Sequence, residues 1–302
     1  MSESPDTLVK FGTADTALQI LSQRHLRWSA PNIFTDPFEA DHRTALNFDP
    51  LTLLDAALRA AVSMIFSADQ PRGNSPLVTV IRRWRDEERF ATTEEAEEVL
   101  RELMARIVDQ RQQEIEELLT RWRHFTRHLR ICCFSTKADN LACWRQFGDS
   151  HRGVAIRFDV NELAVTPHKV SYQNYRPEIT TLKEQLQDIL YNERSDAQAQ
   201  FLEKFLTKSP IYSHEQEWRC FFPEPSQSSS KQPDDSLWYD EHPFVPTAIK
   251  AIYFGAAITS AHKKALVEVI KQHYPEAQVF QAVTVPTKYE LDFKRVLTAP
   301  ER

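Results

Sequence analysis

Five glycines in 302 residues constrain this chain more than any other feature. They are Gly12, Gly73, Gly148, Gly153 and Gly255, and nowhere do they form G-x-G-x-x-G. The closest pair, Gly148 and Gly153, is followed by Val154 rather than by Lys and a hydroxyl residue. A backbone that wraps a pyrophosphate at a strand–helix turn needs glycine, both for the tight turn and for close approach. Glycine-rich phosphate cradles of the Rossmann and P-loop types are therefore absent. If the chain binds a nucleotide, it does so by another route.

Composition sets the remaining bounds. Hydrophobic residues make up 41% and charged residues 26%, enough apolar material for a sizeable core. Lys and Arg number 37 against 43 Asp and Glu, a net charge of −6, which argues against a broad basic face for nucleic acid. Cys132, Cys133, Cys143 and Cys220 form no C-x-x-C. The adjacent pair would point to opposite faces of a strand, so buried, reduced thiols are expected. The opening MSESPDTLVKF shows no basic segment leading into an apolar one. The most apolar stretch, Leu51–Ala68, is interrupted by Asp55 and Arg59 and reads as a core helix. A cytoplasmic protein that does not enter a membrane is expected.

Periodicity divides the chain. Thr7–Phe11 reads as a strand, Thr13 as the cap of a helix running to about Arg24, and Leu26–Ser29 as a second strand. From about 50 to 130 the pattern is helical. Leu100, Met104, Ile107, Val108, Ile115, Leu118, Leu119 and Trp122 form one apolar stripe, with Glu94, Glu95, Glu97 and Glu98 near its start and Arg121, Arg123, Arg127 and Arg130 near its end. This is expected to be a structural insertion with one buried face, spanning about 48–130; capping a cleft or forming a homodimer are its functional uses. Strands follow at Leu129–Ser135, Gly153–Phe158 and Lys169–Tyr172, with a short helix at Leu141–Phe147. A helix is expected over about 179–206, then a strand at Glu215–Phe222 and a polar loop over 223–236. Ala248–Phe254, a helix at about Ala261–His273 and Gln278–Val285 complete the pattern. The expected fold is a single α+β domain over 1–302 with a split, mainly antiparallel sheet and a helical insertion.

Four features could carry chemistry. In Glu215-Gln216-Glu217-Trp218-Arg219, an extended backbone would put both carboxylates on one face, where mutual repulsion raises the pKa of one of them. A solvated edge strand of alternating charge explains the same spacing. Cys133-Phe134-Ser135-Thr136 is an apolar strand ending in two hydroxyls, with neither a nucleophile-elbow glycine pattern nor a nearby His for serine hydrolysis. Lys10-Phe11 ends the first strand. Trp144 with Phe147 reads more readily as core than as a cofactor box. His124 and His128 are four apart on one helix face, without a third ligand in view, and no metal is expected.

Taken in order, these segments resemble a family. Leu8-Val9-Lys10-Phe11, Leu26-Arg27-Trp28-Ser29-Ala30-Pro31 and Asp36-Pro37-Phe38-Glu39 look like its opening. Cys133-Phe134-Ser135, Trp144 and Gly153-Val154-Ala155-Ile156-Arg157-Phe158 look like its centre. Val170-Ser171-Tyr172 and Glu215–Arg219 look like its later part. Together they resemble the bacterial "domain of unknown function 2971" family, departing from its pattern at Val9 and Thr35. The order of motifs is more distantly similar to the ADP-ribosyltransferase fold, which holds NAD in a cleft between two small sheets without a glycine-rich loop. That resemblance implies Glu217 on the ribose 2′-hydroxyl and Glu215 positioning or deprotonating the acceptor. It implies Ser135 and Thr136 on the ribose or nicotinamide side, Lys10 and Phe11 at the first-strand position, and Phe134 or Trp144 walling the nicotinamide. Lys10 departs from the family's Arg or His, and Lys137 from its serine.

Three functional readings follow. The first is an NAD-cleaving ADP-ribosyltransferase, a toxin or phage-defence effector, acting on a protein or nucleic-acid acceptor. It expects Glu217, Ser135 and Lys10 to converge on one cleft. The second is a non-catalytic binding module on the same fold, which expects Glu215 or Glu217 to be paired with a basic residue and sealed off. The third is a nuclease or nucleotide hydrolase, which expects clustered carboxylates at a cation site.

Overall fold

The computed structural model describes residues 5–38, 46–73, 75–194, 196–197, 199–222 and 238–297. The loop expected over 223–236 and Glu39 of the Asp-Pro-Phe-Glu turn lie outside them.

The chain begins with β1 (Thr7–Gly12), α1 (Ala14–Gln23) and β2 (His25–Ser29). Thr13 caps α1 by accepting from the Thr16 amide, and Arg24 ends it in a left-handed conformation. Three helices follow: α2 (Pro50–Phe66), α3 (Pro76–Asp86) and α4 (Thr93–His128). Next come β3 (Arg130–Ser135), α5 (Leu141–Gln146), β4 (Val154–Asp159), α6 (Val160–Leu163), β5 (His168–Lys169) and β6 (Ser171–Tyr172). After α7 (Leu182–Tyr191) and β7 (Thr207–Lys208), a 3₁₀ turn at Pro210–Glu215 leads into β8 (Glu217–Phe222). The chain closes with β9 (Tyr239–Pro243), β10 (Ile249–Phe254), α8 (Ser260–His273), β11 (Gln278–Thr284) and β12 (Leu291–Leu297). No helix of the described residues is long and apolar enough to cross a membrane.

Two compact units result. One comprises Met1–Asp41, Thr126–Arg176 and Phe205–Arg302; the other comprises His42–Phe125 and Pro177–Lys204. The second is helical and draws on two stretches of chain. Leu53, Ala57, Ala61 and Ile65 of α2 pack with Leu100, Met104 and Val108 of α4, Leu77 and Ile81 of α3, and Ile189 and Leu190 of α7. The α4 stripe therefore has the bland explanation: it is core. The helix expected over 179–206 is shorter than the pattern suggested. α7 stops where Asn192 turns left-handed (φ 57°), and Phe201–Phe205 form a separate 3₁₀ turn.

The first unit is α+β around an open, mainly antiparallel sheet in the order β12-β11-β10-β4-β1-β3-β2-β9, with β8 on β3 and β5 on β8. β10 and β11 are parallel, as are β6 and β7, which form a separate two-stranded sheet. One face of the sheet carries Leu8, Cys132, Phe134, Ile156, Phe158, Trp218 and Cys220 against α1 and α8. The other carries Val9, Ala155, Ala251 and Tyr253, with Ala138 and Trp144. Burying each large apolar side chain contributes about 1.5–3 kcal/mol.

The glycines serve backbone packing. A Cβ on Gly153 would collide with the Gly12 carbonyl, and one on Gly255 with the His151 carbonyl, so the ends of β1 and β10 and the start of β4 approach too closely for any other residue.

The sheet forks at β3. β8 pairs along the whole of one β3 edge, from Arg130↔Phe222 to Ser135↔Glu217. The opposite edge is shared, with β2 registering through Ser29↔Ile131 at one end and β1 through Val9↔Ser135 at the other. A strand has only two edges, so β1 and β2 diverge between these pairs. Near the fork a side chain takes over from the ladder: Lys10 Nζ donates to the Cys133 carbonyl at 3.2 Å.

Candidate functional site

The site is built where β8 leaves its turn. Glu215 closes the Pro210–Glu215 turn, Gln216 is left-handed (φ 48°), and the strand begins at Glu217. The extended backbone expected across Glu215–Glu217 is therefore wrong, because the turn holds Glu215 off the strand. The turn is fastened to β3 and α5 instead. Ser135 Oγ donates to the Glu215 carbonyl at 2.8 Å, and Asn140 Nδ2 donates to the His214 carbonyl at 2.7 Å while Asn140 Oδ1 caps α5.

The carboxylates nevertheless meet, through a lysine. Lys208 Nζ lies 2.6 Å from Glu215 Oε2 and 3.2 Å from Glu217 Oε2. Arg219, two residues along β8 from Glu217 and on the same face, donates from Nε to Glu217 Oε1 at 2.9 Å and from Nη2 to Oε2 at 3.1 Å. The two-stranded sheet presents Lys208 beside Tyr172, its register partner, and the Tyr172 hydroxyl accepts the Glu217 amide at 2.8 Å. Arg219 is fully buried, donates to the Phe205 carbonyl at 2.7 Å, and has its guanidinium carbon 5.5 Å from the Phe34 ring centroid. All four charged residues are buried. Their formal charges cancel, which is the condition under which buried charge is tolerated.

Burial dominates the electrostatics. It raises the Glu217 carboxyl, with Glu215 adding to the effect and Lys208 and Cys133 only partly offsetting it. It works against the Lys208 ammonium, but Glu217 and Glu215 outweigh it and hold the amine above its usual range. It lowers the Arg219 guanidinium to about 9, against the pull of Asp36, which leaves it charged at neutral pH. Burial pushes the Tyr172 phenol and the Cys143 thiol each to about 12 and Cys133 well above its usual value, so none of these is a ready nucleophile. One atom is left over: Glu215 Oε1 is buried without a hydrogen-bond partner.

A pocket of about 120 Å³ opens at the fork, bordered by Lys10, Phe11, Phe134, Ser135, Glu215 and Glu217 together with Val9, Cys133, Cys143 and Phe147. Six of the eight residues selected from sequence thus border one pocket. Lys10 nevertheless reaches it from the other side of the sheet. Its ammonium lies 3.4 Å from Cys132 Sγ and 5.3 Å from the Phe134 ring centroid, on the α1–α8 face, whereas Glu217, Ser135 and Cys133 alternate onto the opposite face. Thr136 and Trp144 do not border it. Thr136 Oγ1 donates to Gln216 Oε1 at 3.0 Å. Trp144 is fully buried, donates from Nε1 to the Ala138 carbonyl at 2.6 Å and meets Phe11 edge-on, so it is core. Among the described residues no three His, Cys, Asp or Glu side chains gather as a metal ion would require.

Sequence reasoning overlooked Lys208, Arg219 and Asn140. Arg219 was legible, because residues i and i+2 of a strand share a face and Arg219 follows Glu217 by two. Lys208 sits in a two-residue strand and carries no local signal.

Residues 143–220 match the model of a family described as "Protein of unknown function (DUF2971)". The matched stretch holds β4, the two-stranded sheet and all four buried charges, but neither β1 nor β3. No curated protein and no solved structure matches the chain.

Proposed function

We propose that the fork pocket receives the nicotinamide end of NAD and that the protein is an ADP-ribosyltransferase-like enzyme. The observation that carries this reading is that Phe11, Phe134 and Ser135 border one small pocket with both Glu215 and Glu217. At about 120 Å³ it falls well below the roughly 300 Å³ at which pockets enclose a drug-sized ligand, so only the reacting end of the dinucleotide would be held there. In the reaction the bond from ribose C1′ to the nicotinamide nitrogen breaks and its electron pair leaves with nicotinamide. An acceptor nucleophile, from a protein or nucleic acid, then bonds to C1′ and gives up its proton. The intervening cation is oxocarbenium-like and is stabilised by a fixed carboxylate. Glu217, oriented by Arg219, takes that place, and Glu215 faces the acceptor.

A second reading, a binding module without catalysis, has its own support. Both Glu217 oxygens are already engaged by cations, and the Lys10 ammonium lies on the far face.

Nicotinamide release from NAD, with and without cell lysate, separates the two. Release that disappears in Ser135→Ala and Glu217→Gln, with each variant's folding checked by circular dichroism, supports the transferase. Saturable NAD binding without release supports the module. Absence of both overturns both readings.

A further inference from the structure

A larger cavity, about 730 Å³, lies in the strand-rich unit where β4 ends and β10 and β11 begin. Its volume is typical of small-molecule sites. Arg157 of β4 borders it, on the same sheet face as Ala155, between its register partners Val9 of β1 and Ala251 of β10. The two buried arginines of this sheet each have a carboxylate, Arg219 with Glu217 at 2.9 Å and Arg130 with Asp240 at 2.9 Å, whereas the half-buried Arg157 has none. Among the described residues it makes no ion pair, and its Nε is buried without a hydrogen-bond partner. The Tyr253 hydroxyl is a partner for the guanidinium, but Nε is left over. Leaving a charged donor unsatisfied costs more than leaving a neutral one, so Nε has room for a further acceptor.

The surroundings fix the guanidinium in place. It lies 5.6 Å from the centroid of Tyr253, a ring that Phe280 stacks against at 5.2 Å and Phe293 meets edge-on. The acidic groups at the cavity are otherwise occupied or at its exposed margin. Glu162 accepts from Thr247 at 3.1 Å and Glu276 is exposed, while Lys250 of the lining is paired at 3.2 Å with Asp159 outside it. Arg157, with no carboxylate of its own, and Lys250, shared with Asp159, are the cations around this space.

We infer that this cavity is an anion site for a phosphate-bearing ligand of about mononucleotide size, with Arg157 gripping two phosphate oxygens through its planar fork. The site does not depend on the NAD reading, since the fork pocket is bordered by different residues.

The test is calorimetric titration of the full chain with inorganic phosphate, pyrophosphate and AMP at constant ionic strength, with succinate as the carboxylate control. Saturable binding of at least one phosphate compound is expected. It should weaken tenfold or more in Arg157→Lys, which keeps the charge and loses the fork, and vanish in Arg157→Met. Circular dichroism checks that both variants are folded, and Arg157→Lys serves alone if Arg157→Met is not. Absence of saturable phosphate binding, equal affinity in the folded variants, or tighter binding of succinate overturns the assignment.

Discussion

The two units place most of their charge differently. In the helical unit most ion pairs lie at the surface at i, i+4 spacing, as in Arg83–Glu87, Glu97–Arg101 and Glu102–Arg106, with every side chain well exposed. Arg111, paired with Asp188 and Glu114, is a largely buried exception. Its core cluster is built from apolar side chains. In the strand-rich unit Lys208, Glu215, Glu217 and Arg219 are withdrawn from water beside a pocket, and Arg130 is buried within the same sheet. Helical periodicity suffices to explain the first unit. The second incurs a desolvation cost that packing alone does not call for, and such a cost is characteristic of functional sites. The difference is why the candidate site is sought in the sheet.

The largest effect that tests this contrast is at Arg219. Arg219→Met removes both hydrogen bonds to Glu217 and leaves two carboxylates buried with one lysine, a loss of about 3–5 kcal/mol. Urea unfolding followed by tryptophan fluorescence measures it. Glu217→Gln keeps the shape but removes the charge, so it too should destabilise, which is why its loss of activity must be read beside its melting curve. Coupling between Lys208→Met and Glu217→Gln in a double-mutant cycle should be about 0.5–3 kcal/mol. A cost below about 1 kcal/mol for Arg219→Met would remove the contrast between the units.

Local pattern explains what could be foreseen. The Thr13 cap, the α4 stripe and the strands β1, β3, β4 and β10 follow from short-range periodicity. β9 and β12 did not stand out, because Tyr239-Asp240-Glu241-His242-Pro243 and the Asp292, Lys294 and Arg295 of β12 make polar edge strands without an apolar signature. The stretch Lys169–Tyr172 reads as one strand but divides, β5 pairing with β8 and β6 with β7. At the site, residue types were legible and geometry was not. The fork depends on which strands share a β3 edge, and Lys208 reaches Glu217 only through tertiary pairing.

An intermediate effect lies in alkaline solution. Lys208 holds its proton more tightly in the folded chain than its ordinary 10.5, and Tyr172 holds its own up to about 12 against an ordinary 10.0. Both groups therefore bind more protons folded than unfolded as pH rises through this range, and their contribution to stability falls with rising pH, while Arg219, lowered to about 9, contributes in the opposite direction. The contribution of Lys208 and Tyr172 is intact below pH 10 and is lost progressively above it. Thermal melts between pH 9 and 12 on the parent chain and on Tyr172→Phe isolate the phenol: the variant should lose less stability, or gain more, as pH rises. Identical pH profiles for the parent chain and Tyr172→Phe would mean that this phenol is not proton-linked to folding.

The smallest effect is expected in the helical unit. Arg106 and Glu102 are about three-quarters exposed, and their ion pair is screened by water on all sides. Glu precedes Arg by four residues, the favourable order along a helix, so the pair contributes only about 0.2–0.5 kcal/mol. Arg106→Ala also exchanges arginine for the best helix former, which offsets part of even that loss. Urea unfolding should place Arg106→Ala within about 0.5 kcal/mol of the parent chain, and added salt should shrink the difference further. A loss above about 1 kcal/mol would show that surface charge in the helices is structural as well. Burial of charge would then no longer distinguish the strand-rich unit.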